Sequence, residues 1–246
     1  MNPSTTVDDL IKYILRMCKS TSTTWANHVQ ILCEMYSLPS PLYLLESGPA
    51  WPKQKWNNMV KTKILAFHEK RLREKAQNNS KMKYLNVQLL GLSGRAHPAL
   101  HGITNTQQVK KLRIHLKFLT CDFLTADYVA QDQPNRSPAC RLCCAPAETI
   151  QHILVECGAL AEVRDRIFPD LLNIVAQVQP MSHILHRATP DVLTQFILDC
   201  TSINLDESIR VPAHNPGIDK IFQVSRDWCF ALSNEPSRLL QNDKKK

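Results

Sequence analysis

Cys140, Cys143, His152 and Cys157 fall within 18 consecutive residues, as Cys-x2-Cys-x8-His-x4-Cys. This spacing constrains the chain more than any other feature. Two residues between paired cysteines let a tight turn aim both sulfurs at one ion. Three thiolates and one imidazole make up the four-ligand set that zinc prefers. The second pair follows Glu148, in a stretch whose Ile150, Ile153 and Leu154 read as helical. Gly158 stands where a helix C-cap is expected. Cys144 is an alternative to Cys143; the two-residue spacing favours Cys143. With four protein ligands no position remains for a substrate water, so such a site is structural rather than catalytic. The other five cysteines, Cys18, Cys33, Cys121, Cys200 and Cys229, stand singly in apolar stretches and read as small buried hydrophobes.

Apolar residues recur with helical periodicity almost everywhere. The stripes are Val7 to Cys18, Trp25 to Tyr36, Trp56 to Phe67, Val109 to Phe123 and Ile218 to Leu232. Shorter helices are expected near 160–168, 170–178 and over Val192–Cys200. The last follows Thr189-Pro190-Asp191, which reads as a cap, a first-position proline and a first-turn acid. Residues 80–108 read as loop with one short extended piece. The aromatic residues Trp25, Tyr36, Trp56, Phe67, Phe118 and Phe123 fit core stripes. The fold class expected is all-α: an irregular helical domain with a small CCHC zinc knuckle inserted and a helical C-terminal extension. The expected organisation is a basic helical domain over 1–130, a polar lead-in and knuckle over 131–160, a helical region over 161–241 and a disordered tail over 242–246.

Charge is distributed unevenly. Of 30 Lys/Arg and 22 Asp/Glu, 19 and 9 precede Cys140, so the basic excess lies wholly before the knuckle. A basic excess of this kind suggests a polyanionic partner. The candidate phosphate contacts are Lys70, Arg71, Arg73 and Lys75 on one helix, Lys110, Lys111, Arg113 and Lys117 on another, and Arg141 in the knuckle. RNA or DNA with little sequence specificity is the expected partner. His97, His101 and His115 are expected at the surface or facing phosphate, and His183 and His186 read as incidental. The N-terminus lacks a secretory pattern and no apolar run approaches bilayer length, so an intracellular protein of nucleus or cytoplasm is expected.

Several segments together resemble one family. Leu124-Thr125, Cys140-Arg141-Leu142-Cys143 and Glu148 through Leu160 are similar to the zinc-knuckle region of non-LTR (LINE-like) retrotransposon reverse transcriptases. Trp25 with Leu38-Pro39-Ser40-Pro41-Leu42 resembles the segment before that knuckle. Gln195 to Cys200 and Ser225 to Cys229 resemble the segment after it, so the similarity spans residues 25–232. It implies a nucleic-acid-handling portion of such an enzyme. The family's catalytic parts do not carry over. No Tyr-x-Asp-Asp turn is present, and the adjacent acids Asp8-Asp9 and Asp206-Glu207 do not form a magnesium-holding pair. Pro190-Asp191 lacks the Glu-x-Lys that the family's endonuclease carries. No enzymatic activity is therefore expected of this chain alone. The other reading is a helical interaction scaffold, or a non-functional transposon remnant, with a structural zinc.

Overall fold

The computed structural model describes residues 13, 25–46, 51–91, 96–178, 185, 188–203 and 215–243, with side chains to residue 236 in the last segment. The fold is all-α, and no strand occurs among the described residues. Val7, Leu10, Ile11, Ile14, Leu15 and Cys18 of the first stripe, Asp8-Asp9, His183, His186, Asp206-Glu207 and residues 244–246 lie outside them.

Two compact units divide between Leu72 and Arg73. The first contains α1 (Trp25–Met35) and α2 (Pro41–Glu46), and α3 (Lys53–Gln77) begins in it. Tyr36 joins the end of α1 to α3. Its ring meets Phe67 edge-on at 5.1 Å, and its hydroxyl lies 3.3 Å from His68 Nε2. Trp25 departs from the expected core role and is 60% exposed. Ile31, Leu32 and Met35 on the same helix are exposed as well.

The second unit contains α4 (Thr106–Leu119), α5 (Ala126–Asp132), α6 (Ala161–Gln177), α7 (Pro190–Asp199) and α8 (Pro216–Asp243). Local chemistry sets the helix starts. Asn105 accepts the Gln108 N–H, Thr125 accepts that of Tyr128 and Thr189 accepts that of Val192. Pro190 and Asp191 occupy the first turn of α7, as expected. Stretches that read as two helices near 160–168 and 170–178 form one, α6, which carries Pro169 inside it. Among the described residues of 80–100 lie three 3-10 turns, Ser80–Met82, Val87–Leu89 and Pro98–Leu100, and none of the expected extended piece. The helical backbone of α8 runs to Asp243, into the segment expected as a disordered tail.

α8 is the centre of this unit and packs on α4, α6 and α7. Ile218, Ile221, Phe222, Trp228, Cys229 and Leu232 carry its buried stripe. They share one core with Phe118 of α4, Leu154, Leu171 of α6 and Phe196 of α7. Residues on both sides of positions 130 and 160 therefore contribute to a single core. Burying about a dozen large side chains at roughly 1.5–3 kcal/mol each supplies the main favourable term.

Candidate metal centre

The site is built at the end of a polar lead-in. After Pro138 the chain makes a knuckle closed by two backbone bonds: Cys140 N–H to Ala145 O, and Cys144 N–H to Cys140 O, each 2.9 Å. Cys144 sits at φ +59°, the left-handed conformation that lets the chain reverse straight after Cys143. Glu148 anchors the knuckle. Its N–H reaches Pro138 O at 2.8 Å, and its carboxylate accepts the Ala126 N–H at 3.0 Å.

The second pair of ligands lies on a helical turn that widens into π form over His152–Glu156. Cys157 N–H bonds to His152 O at 2.7 Å, a five-residue step. In an α-helix residues five apart point about 140° away from each other. The wider turn, together with the exit of Cys157 at ψ 112°, brings the His152 and Cys157 side chains to one place. Gly158 is not the expected left-handed cap; it opens the 3-10 turn Gly158–Leu160.

The ligating atoms of Cys140, Cys143, His152 and Cys157 all lie within 4.8 Å of one another, and this Cys3His cluster can hold a metal ion. Cys140 Sγ is 3.9 Å from Cys157 Sγ, and Cys143 Sγ is 3.2 Å from His152 Nε2. Cys140, His152 and Cys157 are buried and Cys143 is on the solvent side. Burial pushes the Cys140 thiol up, offset in part by the backbone N–H groups of Leu142 and Cys143. The Cys143 thiol is held down, first by the Ala145 backbone N–H. Burial pushes the Cys157 thiol up to about 12.

Two groups complete the surroundings. His152 presents Nε2 to the cluster, and its Nδ1 faces Glu156 Oε2 at 3.9 Å. Arg164 donates Nη2 to Cys157 O at 2.6 Å, while its Nη1 is buried with no partner among the described residues.

The candidate phosphate contacts fall into two groups. Lys70, Arg71, Lys75, Lys110, Arg113, Lys117 and Arg141 are exposed. Lys110, Arg113 and Lys117 recur at helical spacing along one face of α4. Arg73 and Lys111 are half-buried and engaged within the protein. Arg73 donates Nε to Leu90 O at 3.0 Å, and Lys111 pairs with Asp227 at 2.6 Å.

The histidine expectation fails for three residues. His97 and His115 are buried, and His101 is partly buried and 3.0 Å from Asp219. Both buried rings meet Phe222 edge-on, His97 at 5.9 Å and His115 at 6.0 Å. His97 belongs to an internal polar network that sequence reading missed. Asp199, fully buried, lies 3.1 Å from His97 Nε2 and accepts the N–H groups of Asn86 and Thr201. Arg226, also buried, donates to the carbonyls of Ala99 and His101 at 3.0 and 3.2 Å. A signal existed for Asp199, a lone charge after Phe196-Ile197-Leu198 and before Cys200, which requires internal partners. Arg226, next to Asp227 in sequence, carries no such mark.

No helix among the described residues is long and apolar enough to cross a membrane. No protein-family model, curated protein or solved structure matches this chain.

Proposed function

We propose that the Cys3His cluster holds one structural zinc ion, and that the chain is a nucleic-acid-binding module with no catalytic chemistry of its own. The observation that carries the zinc assignment is the fit of the donor set. Sulfur ligands at about 2.3 Å and nitrogen at about 2.0 Å in a tetrahedron stand roughly 3.5–3.8 Å apart. The pairs at 3.9 and 3.2 Å lie near those separations, and all four atoms lie within 4.8 Å of one another. Three thiolates and one imidazole fill the tetrahedron, so the ion would brace the knuckle against the core and meet no substrate. The resulting single negative charge is offset by Arg164, whose guanidinium lies over the Cys157 end of the cluster.

The nucleic-acid part rests on the exposed cations of α4, on Arg141 beside the ligands, and on the resemblance to the retrotransposon knuckle region. Exposed lysines and arginines at helical spacing suit phosphate contacts, which give salt-dependent and weakly sequence-specific affinity. A second reading, a helical interaction scaffold, is favoured by Trp25, Ile31, Leu32 and Met35, which α1 leaves exposed.

Metal analysis together with a binding assay tests the proposal. Protein purified without chelator is expected to release about one equivalent of zinc on thiol modification. Metal content near zero overturns the zinc assignment. With zinc in place, the chain is expected to bind a structured RNA or a duplex DNA at low salt. Binding to neither leaves the scaffold reading.

A further inference from the structure

An open cleft of about 510 Å³ lies beside the metal-bearing turn. Its walls come from the 3-10 turn Ser80–Met82 with the residues after it, from α5, and from Thr149–Gln151. The volume lies in the range of sites that take a ligand the size of a nucleotide. Three aromatic rings line it, each with one face already covered: Tyr84 by Lys83, Phe123 by Phe118 stacked at 3.9 Å, and Tyr128 by Lys81. The two cations at its edge differ. Lys81 is committed, with Nζ 2.9 Å from Asp122 and 3.1 Å from the Tyr128 hydroxyl. Lys83 is exposed, makes no ion pair among the described residues, and holds Nζ 4.5 Å from the centre of the Tyr84 ring. The polar rim also holds Asp127, whose carboxylate accepts from the Gln131 amide at 3.1 Å, and Gln151, whose amide donates to Glu156 at 2.6 Å.

This combination selects its occupant. An inorganic anion would use Lys83 and leave the rings unused. A purely apolar molecule would use the rings and leave the ammonium and the polar rim unused. An unstacked base attached to its phosphate uses all three, as in single-strand recognition by stacking beside a cation. We propose that this cleft takes one unstacked nucleotide of a single strand, with its base among Tyr84, Phe123 and Tyr128 and its phosphate at Lys83. The inference deepens the nucleic-acid reading above and rests on it. It also links the metal centre to binding. Thr149 and Gln151 line the cleft, and the Thr149 hydroxyl accepts the N–H of the ligand His152 at 3.0 Å. An ion that fixes His152 thereby fixes one wall of the cleft.

Cys121 lines the same cleft and Cys144 is exposed outside it, so the two thiols serve as reporter and control. The experiment uses the full zinc-loaded chain, a short oligouridylate, and an abasic phosphodiester of equal length. Alkylation at each cysteine is mapped by mass spectrometry, and affinity is read by fluorescence anisotropy. Oligouridylate is expected to shield Cys121 and not Cys144, and to bind about tenfold tighter than the abasic strand, the scale of one base stacked on an aromatic ring. Lys83→Gln is expected to lower the salt slope by about 0.7, and Lys83→Arg to restore it. If oligouridylate binds while Cys121 stays reactive and Lys83→Gln matches wild type, the cleft assignment is overturned and the nucleic-acid reading stands. If structured RNA or duplex binds but oligouridylate does not, the cleft assignment is again overturned. If no nucleic acid binds, both fall.

Discussion

Trp228 donates its indole N–H to the carbonyl of Leu154 at 3.2 Å. Leu154 lies in the π turn, two residues past His152, and both partners are buried. The central helix α8 thus holds the turn that carries His152 by a hydrogen bond as well as by packing. Trp228→Phe is expected to leave a buried carbonyl unsatisfied. The cost should be about 1–3 kcal/mol of stability, with a further loss from the smaller ring. Denaturant unfolding and zinc release to a chelator measure the two effects. Wild-type stability together with wild-type zinc retention would show that the turn is held by other means.

The paired cysteines give a second prediction. Cys143 lies in the ligand cluster, whereas Cys144 is exposed in a left-handed conformation. Cys143→Ser should lose the metal. Cys144→Gly should keep it and stabilise the folded state, because a side chain at positive φ costs about 1 kcal/mol. Metal content and thermal unfolding of the two variants check both statements. Loss of metal from the Cys144 variant alone would transfer the ligand role to that residue.

His115 predicts a pH dependence. Its ring is fully buried, and desolvation lowers its pKa from 6.5 to about 4. The unfolded chain then binds a proton that the folded chain refuses. Stability is complete above the unfolded value, falls as pH drops through 6.5 and levels off below about 4. The loss approaches roughly 3 kcal/mol, since each tenfold drop in proton affinity is worth about 1.4 kcal/mol. Urea unfolding from pH 7 to pH 4, for wild type and His115→Gln, isolates the contribution. Parallel pH profiles for the two proteins would sink it.

The cluster of Cys140, Cys143, His152 and Cys157 and most helices were legible because each depends on local spacing. Asn105, Thr125 and Thr189 cap where their short polar side chains reach the first free N–H groups, a rule that needs only neighbouring residues. Backbone conformation places Cys143 rather than Cys144 in the cluster, which spacing alone does not encode. The π turn at His152–Glu156 was not legible either, since the helical pattern of Ile150, Ile153 and Leu154 is the same in either helix type. Basic neighbours in sequence point His97 and His115 toward the surface. In the fold they face Phe222, more than a hundred residues away. Trp25 fails in the opposite direction: helical periodicity marks an apolar face, but not whether anything covers it.

The cations of α4 separate two roles that charge counting merges. Lys110, Arg113 and Lys117 are exposed, whereas Lys111 is half-buried against Asp227 of α8 at 2.6 Å. Replacing the three exposed residues with Gln should weaken binding to a structured RNA and to a duplex about equally. The slope of log affinity against log salt should shrink by about 0.7 to 0.9 for each lost contact, the lower figure applying to single strands. Stability should change little, since exposed charges contribute little to folding. Lys111→Gln should behave in the reverse way. It leaves Asp227 without its cation and loosens the contact of α4 with α8, while the salt slope stays near wild type. Salt titrations and thermal unfolding of both variants give a two-by-two comparison. Should the triple variant keep both affinity and slope, the exposed face of α4 serves solvation alone. Any nucleic-acid contact would then have to lie elsewhere, with Lys75, Arg141 and the Lys83 cleft the remaining candidates in this unit.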